Sequence, residues 1–467
     1  KLAARIEAQR IAGRIVSFEP VDQATFDAHL SAAYRDSASE AAQNANEDSD
    51  DLSALAETAA AVDDLLDQKD DAPVVRLINA LLLEAVKDGA SDIHIEVEEK
   101  RLVVRFRIDG VLREVLEPRR SLASQLASRL KVMGKLDIAE KRLPQDGRVS
   151  LRVGSYELDV RISTLPSQFG ERVVLRLLDR GKTQLGIAHL GLSEQDQNVF
   201  ETIITAPEGL VLVTGPTGSG KTTTLYAFLK KLYTPKIKII TIEDPIEYHI
   251  DGVEQTQTDE KNNYTFATGL KSILRQDPDV ILIGEIRDAE TAGVSIDAAL
   301  TGHLVLSTLH TNNAAGAIPR LVDLEIRQST IGPAVTLVIA QRLVRKLCEK
   351  CKKKADINED LQAKIKKFEK DLPKRVSRES MGKGLHKAVG CSECEDGFMG
   401  RIAIMELLEV GDEMDSLIRE KATERDIEDL ATKKQGMVLM QQDGILKALG
   451  GITTLDEVER ATGPIEW

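Results

Sequence analysis

Between Gly191 and Leu347, four short apolar runs are separated by longer stretches with helical spacing: Leu210–Thr214, Lys238–Ile242, Val280–Ile283 and Leu304–Thr308. Continuous apolar runs, rather than alternating ones, mark strands buried on both faces. The pattern therefore predicts a largely parallel α/β sheet that takes its ligands at the strand C-termini. Upstream, Val74, Leu77, Ile78, Leu81 and Ala85 recur with helical period, opening at Pro73 and ending at Gly89. Short strands are expected at Ile93–Val97, Leu102–Ile108, Val149–Val153 and Leu158–Ile162, with a helix over Leu122–Met133 between them. This region, 73–180, reads as a small α+β domain, and 181–347 as the α/β core. Helical spacing also occurs at 3–11 and 23–34. Residues 36–72, rich in Ser, Asn and acids, read as a linker with a weak helix near Leu52–Leu66. After Leu347 come a cysteine-bounded insertion, 348–400, and a helical tail, 401–467. No tandem repeat of 20 to 50 residues is present.

Composition adds little to this outline, but charge adds something. The chain has 467 residues, 42% apolar and 30% charged, enough for two to four domains with real cores. The charge-free stretch Ser329–Gln341 is too short to cross a bilayer, and no basic, apolar leader follows Lys1, so no secretion signal is expected. The net charge of −14 is unevenly spread. Residues 36–71 hold twelve acids against one lysine, whereas 342–387 hold sixteen basic residues against seven acids. The basic segment suits a solvated face, an acidic lipid or an acidic partner, and it leaves nucleic acid open. An aromatic content of 3% leaves little for base stacking, which argues against single-strand binding.

The chemistry begins at GPTGSGKT, residues Gly215, Pro216, Thr217, Gly218, Ser219, Gly220, Lys221 and Thr222. It directly follows the Leu210–Thr214 strand and precedes a helical stretch, the context a phosphate-binding P-loop requires. Its backbone N–H groups would cradle a polyphosphate at a helix N-terminus. Lys221 would reach the β- and γ-phosphates and the Thr222 hydroxyl would ligand Mg²⁺. ATP and Mg²⁺ are thus the expected substrate and cofactor. Two other strands end in acids: Glu243–Asp244 and Glu285. Gly284 stands where many NTPases place a metal-binding aspartate, which leaves Glu285 to act behind the metal or on the attacking water. His303 and His310 bracket the fourth strand, and an imidazole at its end could sense the γ-phosphate.

Cys348, Cys351, Cys391 and Cys394 form two C-x-x-C pairs that use every cysteine in the chain. Thiolates at this spacing suit tetrahedral Zn²⁺ in a structural role, because four of them leave no open coordination position. The basic segment between the pairs is expected to be helical.

With these motifs stand ASDIHIE (90–96), RFRIDGVL (105–112), LPQDGR (143–148), STLPSQFGERVVLRLLD (163–179), TIEDPIE (241–247), LRQDPDVILIGEIRDAET (274–291) and TGHLVLSTLHTN (301–312). Together they resemble the type IV pilus assembly and type II secretion ATPase family over roughly 71–461. The resemblance implies a RecA-like core behind a PAS-like small domain. It implies a homo-hexameric cytoplasmic motor, peripheral on the inner membrane, that acts on a platform protein to assemble a pilus or pseudopilus. It also implies that small-domain arginines complete the ATP site, here Arg161 and Arg176 with Arg172 as a further candidate. Its histidine box falls on His303 and His310. Its retraction motors lack the four-cysteine module, so the module favours extension or secretion. Residues 1–35 are then the remnant of an N-terminal docking domain. The competing expectation is a nucleic-acid translocase on the same core, with the basic segment as its track contact.

Overall fold

The computed structural model describes residues 72–467 apart from 154–155, 180–185, 374–375, 377–383 and 395. The helices expected at 3–11, 23–34 and 52–66 lie outside the described residues. The chain divides into two compact units: the first holds 92–106 and 114–176 with the segment before Asp88, and the second holds 177–467 with 89–91 and 107–113.

The first fold element is helix α1 (Ala72–Lys87), followed by β1 (Ala90–Val97), β2 (Leu102–Ile108), β3 (Val111–Leu116), α2 (Ala123–Met133), β4 (Gln145–Val153), β5 (Tyr156–Ser167) and β6 (Gly170–Asp179). The strands form one sheet in the order β3-β2-β1-β6-β5-β4, with β1/β6 and β4/β5 antiparallel. One face of β4 is exposed, and its burial alternates residue by residue as expected of a one-sided strand. Leu77, Leu81, Ile93, Phe106, Leu126, Ile162 and Val173 are buried in its core. One strand, β3, goes beyond the sequence expectation. β3 closes a hairpin through Asp109 and Gly110, at φ 48° and 86°, a turn for which an Asp-Gly pair is suited.

The second unit contains α3 (Glu194–Ile204), β7 (Gly209–Thr214), α4 (Lys221–Leu232), β8 (Ile239–Glu243), β9 (Glu254–Gln257), α5 (Phe266–Ile273), β10 (Val280–Ile283), α6 (Ala289–Leu300), β11 (Leu304–Leu309), α7 (Ala317–Asp323), α8 (Gln328–Ala334) and β12 (Val335–Leu347). After a short β13 (Lys353–Lys354) come α9 (Glu359–Asp371), β14 (His386–Lys387), β15 (Phe398–Glu409), α10 (Asp412–Arg419), α11 (Glu424–Lys433), α12 (Met440–Leu449) and α13 (Leu455–Thr462). Seven strands make the main sheet in the order β15-β12-β7-β11-β10-β8-β9. It is mixed: neighbours run parallel except β12 and β15.

All six residues of β7 are buried. Leu210 and Leu212 enter a core with α5 to α8 and the C-terminal helices, while Val211 and Val213 enter one with α3 and α4. Helices therefore cover both faces, which explains the unbroken apolar runs. The expected tail at 401–467 is not helical throughout. Its first residues belong to β15, which lies antiparallel along β12 and extends the main sheet. A third cluster, with Phe368 and Leu385 against Ile445, Ala448 and Leu449, seats the cysteine-bounded segment on α12. The expected helix within that segment is α9.

Candidate functional site

Between Thr214, the last residue of β7, and Lys221, the first of α4, the loop turns on glycines. Gly215 has φ 143° and Gly220 φ 91°, conformations that strain any residue with a Cβ. A Cβ on Gly215 would also collide with the Gln341 carbonyl oxygen. Beneath the loop, the Gln341 amide is buried on β12. It donates to Ser219 O at 2.8 Å and accepts from the Thr224 hydroxyl at 2.9 Å. The Lys221 ammonium donates to Gly215 O at 2.8 Å and to Pro216 O at 3.2 Å. Burial lowers its pKa, an effect the nearby Glu285 carboxylate opposes.

The parallel register places the ends of β8, β10 and β11 beside this loop. Lys221, Thr222, Glu243, Glu285 and His310 line one cavity of about 150 Å³, together with Tyr226, Asp244 and Phe266. The Glu285 side chain, 13% exposed, pairs with Arg287, and its second oxygen lies 3.4 Å from His310 Nε2. Thr308 holds the turn before it, its hydroxyl donating to Gly284 O at 2.8 Å. A Cβ on Gly284 would come within 3.3 Å of the Phe266 ring and 3.4 Å of the Glu243 Cα. A side chain there would press on this wall of the cavity.

Glu243 is buried at the end of β8 and is surrounded by donors. Tyr226 OH bonds one oxygen, while the other accepts from Thr241 Oγ1 at 2.6 Å and Gln255 Nε2 at 3.2 Å. Burial raises its pKa, and these hydrogen bonds hold the rise back. His303 is not brought to the cavity. It stands one residue before β11, at the strand's opposite end, with Nδ1 3.0 Å from Ala298 O.

Arg161, Arg172 and Arg176 belong to the first unit, where all three are exposed on β5 and β6. Arg176 sits opposite Asp92 in the β1/β6 register, and its Nε donates to Asp92 Oδ1 at 3.0 Å. Glu171 and Asp159, the acids nearest in sequence to these arginines, pair instead with Lys131 and Arg148.

The four cysteine sulfurs lie within 4.8 Å of one another. Cys348 and Cys391 are 4.0 Å apart, Cys351 and Cys394 3.6 Å, and Cys391 and Cys394 3.5 Å. Disulfides need about 2 Å. Four sulfurs around a zinc at a Zn–S distance of about 2.3 Å stand about 3.8 Å apart, so this donor set fits Zn²⁺. Each C-x-x-C pair closes a turn, Lys352 N–H to Cys348 O at 3.0 Å and Cys394 N–H to Cys391 O at 3.3 Å.

Tyr226, Gln341 and Arg287 went unnoticed in the sequence. Only Arg287, two residues from Glu285, carried a local signal.

The family profile described as Type II/IV secretion system protein matches residues 67–460. Type II secretion system protein E of Pseudomonas aeruginosa is 51% identical over 99% of this chain and 90% of its own length. Type II secretion system ATPase E of Vibrio cholerae is 48% identical over the same shares. Among solved structures, the pilus retraction motor PilT with bound ADP superposes with a TM-score of 0.55 at 26% identity, covering 83% of this chain and 97% of that one.

Proposed function

This chain belongs to the type II/IV secretion system protein family, and we propose that it is the ATPase motor of a type II secretion machine, built on a RecA-like core behind a PAS-like domain. The carrying observation is the convergence of Lys221, Thr222, Glu285 and His310 on one cavity at the C-terminal ends of parallel strands. Curated relatives about half identical over nearly the whole chain bear type II secretion names, which favours secretion over pilus extension.

The loop Gly215–Thr222 binds the polyphosphate through backbone N–H groups at the start of α4. Its Lys221 lies curled onto the loop carbonyls and exchanges those contacts for phosphate oxygens. The Thr222 hydroxyl would hold Mg²⁺, which would supply charge neutralisation of the β- and γ-phosphates. Glu285 accepts the proton of the attacking water. Its ion pair with Arg287 and its contact with the His310 imidazole orient the carboxylate, and His310 is the group we assign to face the γ-phosphate. Glu243, locked among Tyr226, Thr241 and Gln255, shapes the cavity wall beside Lys221 and Thr222.

The rest follows the family resemblance. The motor is a homo-hexamer at the cytoplasmic face of the inner membrane, working on a platform protein there. No helix of the described residues is long and apolar enough to cross a membrane. Arg161 and Arg176, with Arg172 beside them, complete the site over the γ-phosphate, as planar and permanently charged donors to phosphate oxygens. Cys348, Cys351, Cys391 and Cys394 hold one structural Zn²⁺. Domain limits of 73–180, 181–347, 348–400 and 401–467 describe this organisation, with β15 lent to the core sheet by the last of them.

Glu285→Gln tests the catalytic assignment. ATP binding should persist while turnover falls at least about a hundredfold, as expected when a water-activating carboxylate loses its charge. Lys221→Ala should weaken binding instead. A Gln variant with the wild-type rate would move the assignment to Glu243.

A further inference from the structure

Glu406, in the middle of β15, is 4% exposed, and its two oxygens are given to two distant parts of the chain. One accepts the backbone N–H of Ala314 at 2.6 Å, the other that of Met440 at 2.9 Å. Ala314 is buried four residues after His310. The backbone between them is held at Thr311, whose N–H donates to Thr214 Oγ1 at 2.8 Å, one residue before the phosphate loop. Met440 is the first residue of α12, whose Ile445, Ala448 and Leu449 form the seat of the cysteine module.

α12 is also fixed to β15 along its length. Asp443 accepts from Met405 N–H at 2.8 Å, and Lys447 Nζ donates to Ala403 O at 2.7 Å. A second tie runs in parallel: Asn313 Nδ2 donates to Glu424 Oε1 of α11 at 2.7 Å. A buried carboxylate is costly to desolvate. Burial raises its pKa, and the Ala314 and Met440 N–H groups, one on each oxygen, oppose that rise. A glutamine would turn its NH₂ group against one of them.

We infer that Glu406 is a positioning residue for ATP hydrolysis: through it, docking of α12 and the cysteine module sets the backbone that carries His310. The inference rests on the reading of His310 as a γ-phosphate-facing group. Loosening of α12 would release Ala314, let the His310 segment drift from Glu285, and slow turnover without disturbing the phosphate loop that binds ATP. The link therefore gives the C-terminal module a grip on the chemical step.

The test compares Glu406→Gln and Met440→Pro in the full chain, with Met440→Ala and His310→Ala as controls. Proline is accommodated at the first position of a helix, and Leu439 before it is already extended at ψ 152°, so relative to Met440→Ala, which also loses the buried side chain, Met440→Pro removes one N–H and little else. Glu406→Gln should lower kcat about tenfold or more, the effect of losing one charge-assisted hydrogen bond, with KM for ATP within about threefold. Met440→Pro should lower kcat at least about threefold relative to Met440→Ala at an unchanged Tm. A folded variant of either kind with the kcat of its control overturns the inference, as does a loss explained wholly by a smaller folded fraction. The controls separate the two layers. An unaffected His310→Ala defeats the reading of His310. An impaired His310→Ala beside an unaffected Glu406→Gln defeats only the link proposed here.

Discussion

The residues that sequence alone could place are those whose chemistry fixes local spacing. Lys221 and Thr222 must follow a glycine loop, and thiolates that share a metal come in C-x-x-C pairs, so both could be seen without a structure. Gln341 could not, because its role depends on Ser219 and Thr224, more than a hundred residues earlier in the chain, and nothing about a glutamine in an apolar run announces it. Glu243 was legible as an acid at a strand end. Its enclosure by Tyr226, Thr241 and Gln255 was not, since three separate elements supply the donors. His303, expected at the opposite end of the strand from His310, lies away from the cavity against Ala298 O. Gln341→Met, similar in volume and unable to donate or accept, should leave the Ser219 carbonyl and Thr224 hydroxyl buried without partners. The cost should be about 2 to 4 kcal/mol of stability, with ATP affinity reduced about tenfold. Calorimetry and equilibrium binding measure both, and unchanged values would mean that the loop does not depend on this clamp.

Among elements, the parallel strands β7, β8, β10 and β11 were legible because burial on both faces makes their apolar runs continuous. The same property hid β12 and β15. A largely apolar run such as Ile402–Leu408, broken only by Glu406, reads equally as strand or buried helix, and only pairing with β12 across about fifty residues of intervening chain decides it. The β2/β3 hairpin, by contrast, carried its signal openly in Asp109-Gly110. The cysteine module is held at its edge by α13. Glu457 pairs with Arg345 and Arg460, which hold its carboxyl at about 2 against the upward push of burial. Arg345 also stacks over Phe398, its guanidinium 4.1 Å from the ring centroid. Metal removal should therefore loosen residues 348–394 while the main sheet persists. Elemental analysis should find one Zn²⁺ per chain. Chelation should raise amide hydrogen exchange in α9 and the two cysteine turns and leave β7 and α4 protected. A folded chain without metal, or uniform exchange after chelation, would contradict a structural zinc site.

At the scale of the whole molecule, the chain places its phosphate-loop motif, Glu243, Glu285 and His310 in one unit and its candidate arginines in the other. A motor needs such a division, because work is done when two bodies change their relation as a phosphate is lost. The central claim is that hydrolysis needs both units and is shared around a ring. The direct measurement is the steady-state ATP turnover of Arg176→Ala, alone and mixed with Lys221→Ala subunits. Arg176 now makes an ion pair with Asp92, whose carboxylate is buried although the guanidinium is half exposed, so its loss carries a stability cost and turnover is counted per folded, ring-forming subunit. Turnover of Arg176→Ala alone should fall by orders of magnitude while nucleotide binding survives. The mixture should recover part of it, because some interfaces regain both halves. An Arg176→Ala protein that forms the ring and hydrolyses ATP at the wild-type rate would contradict the account.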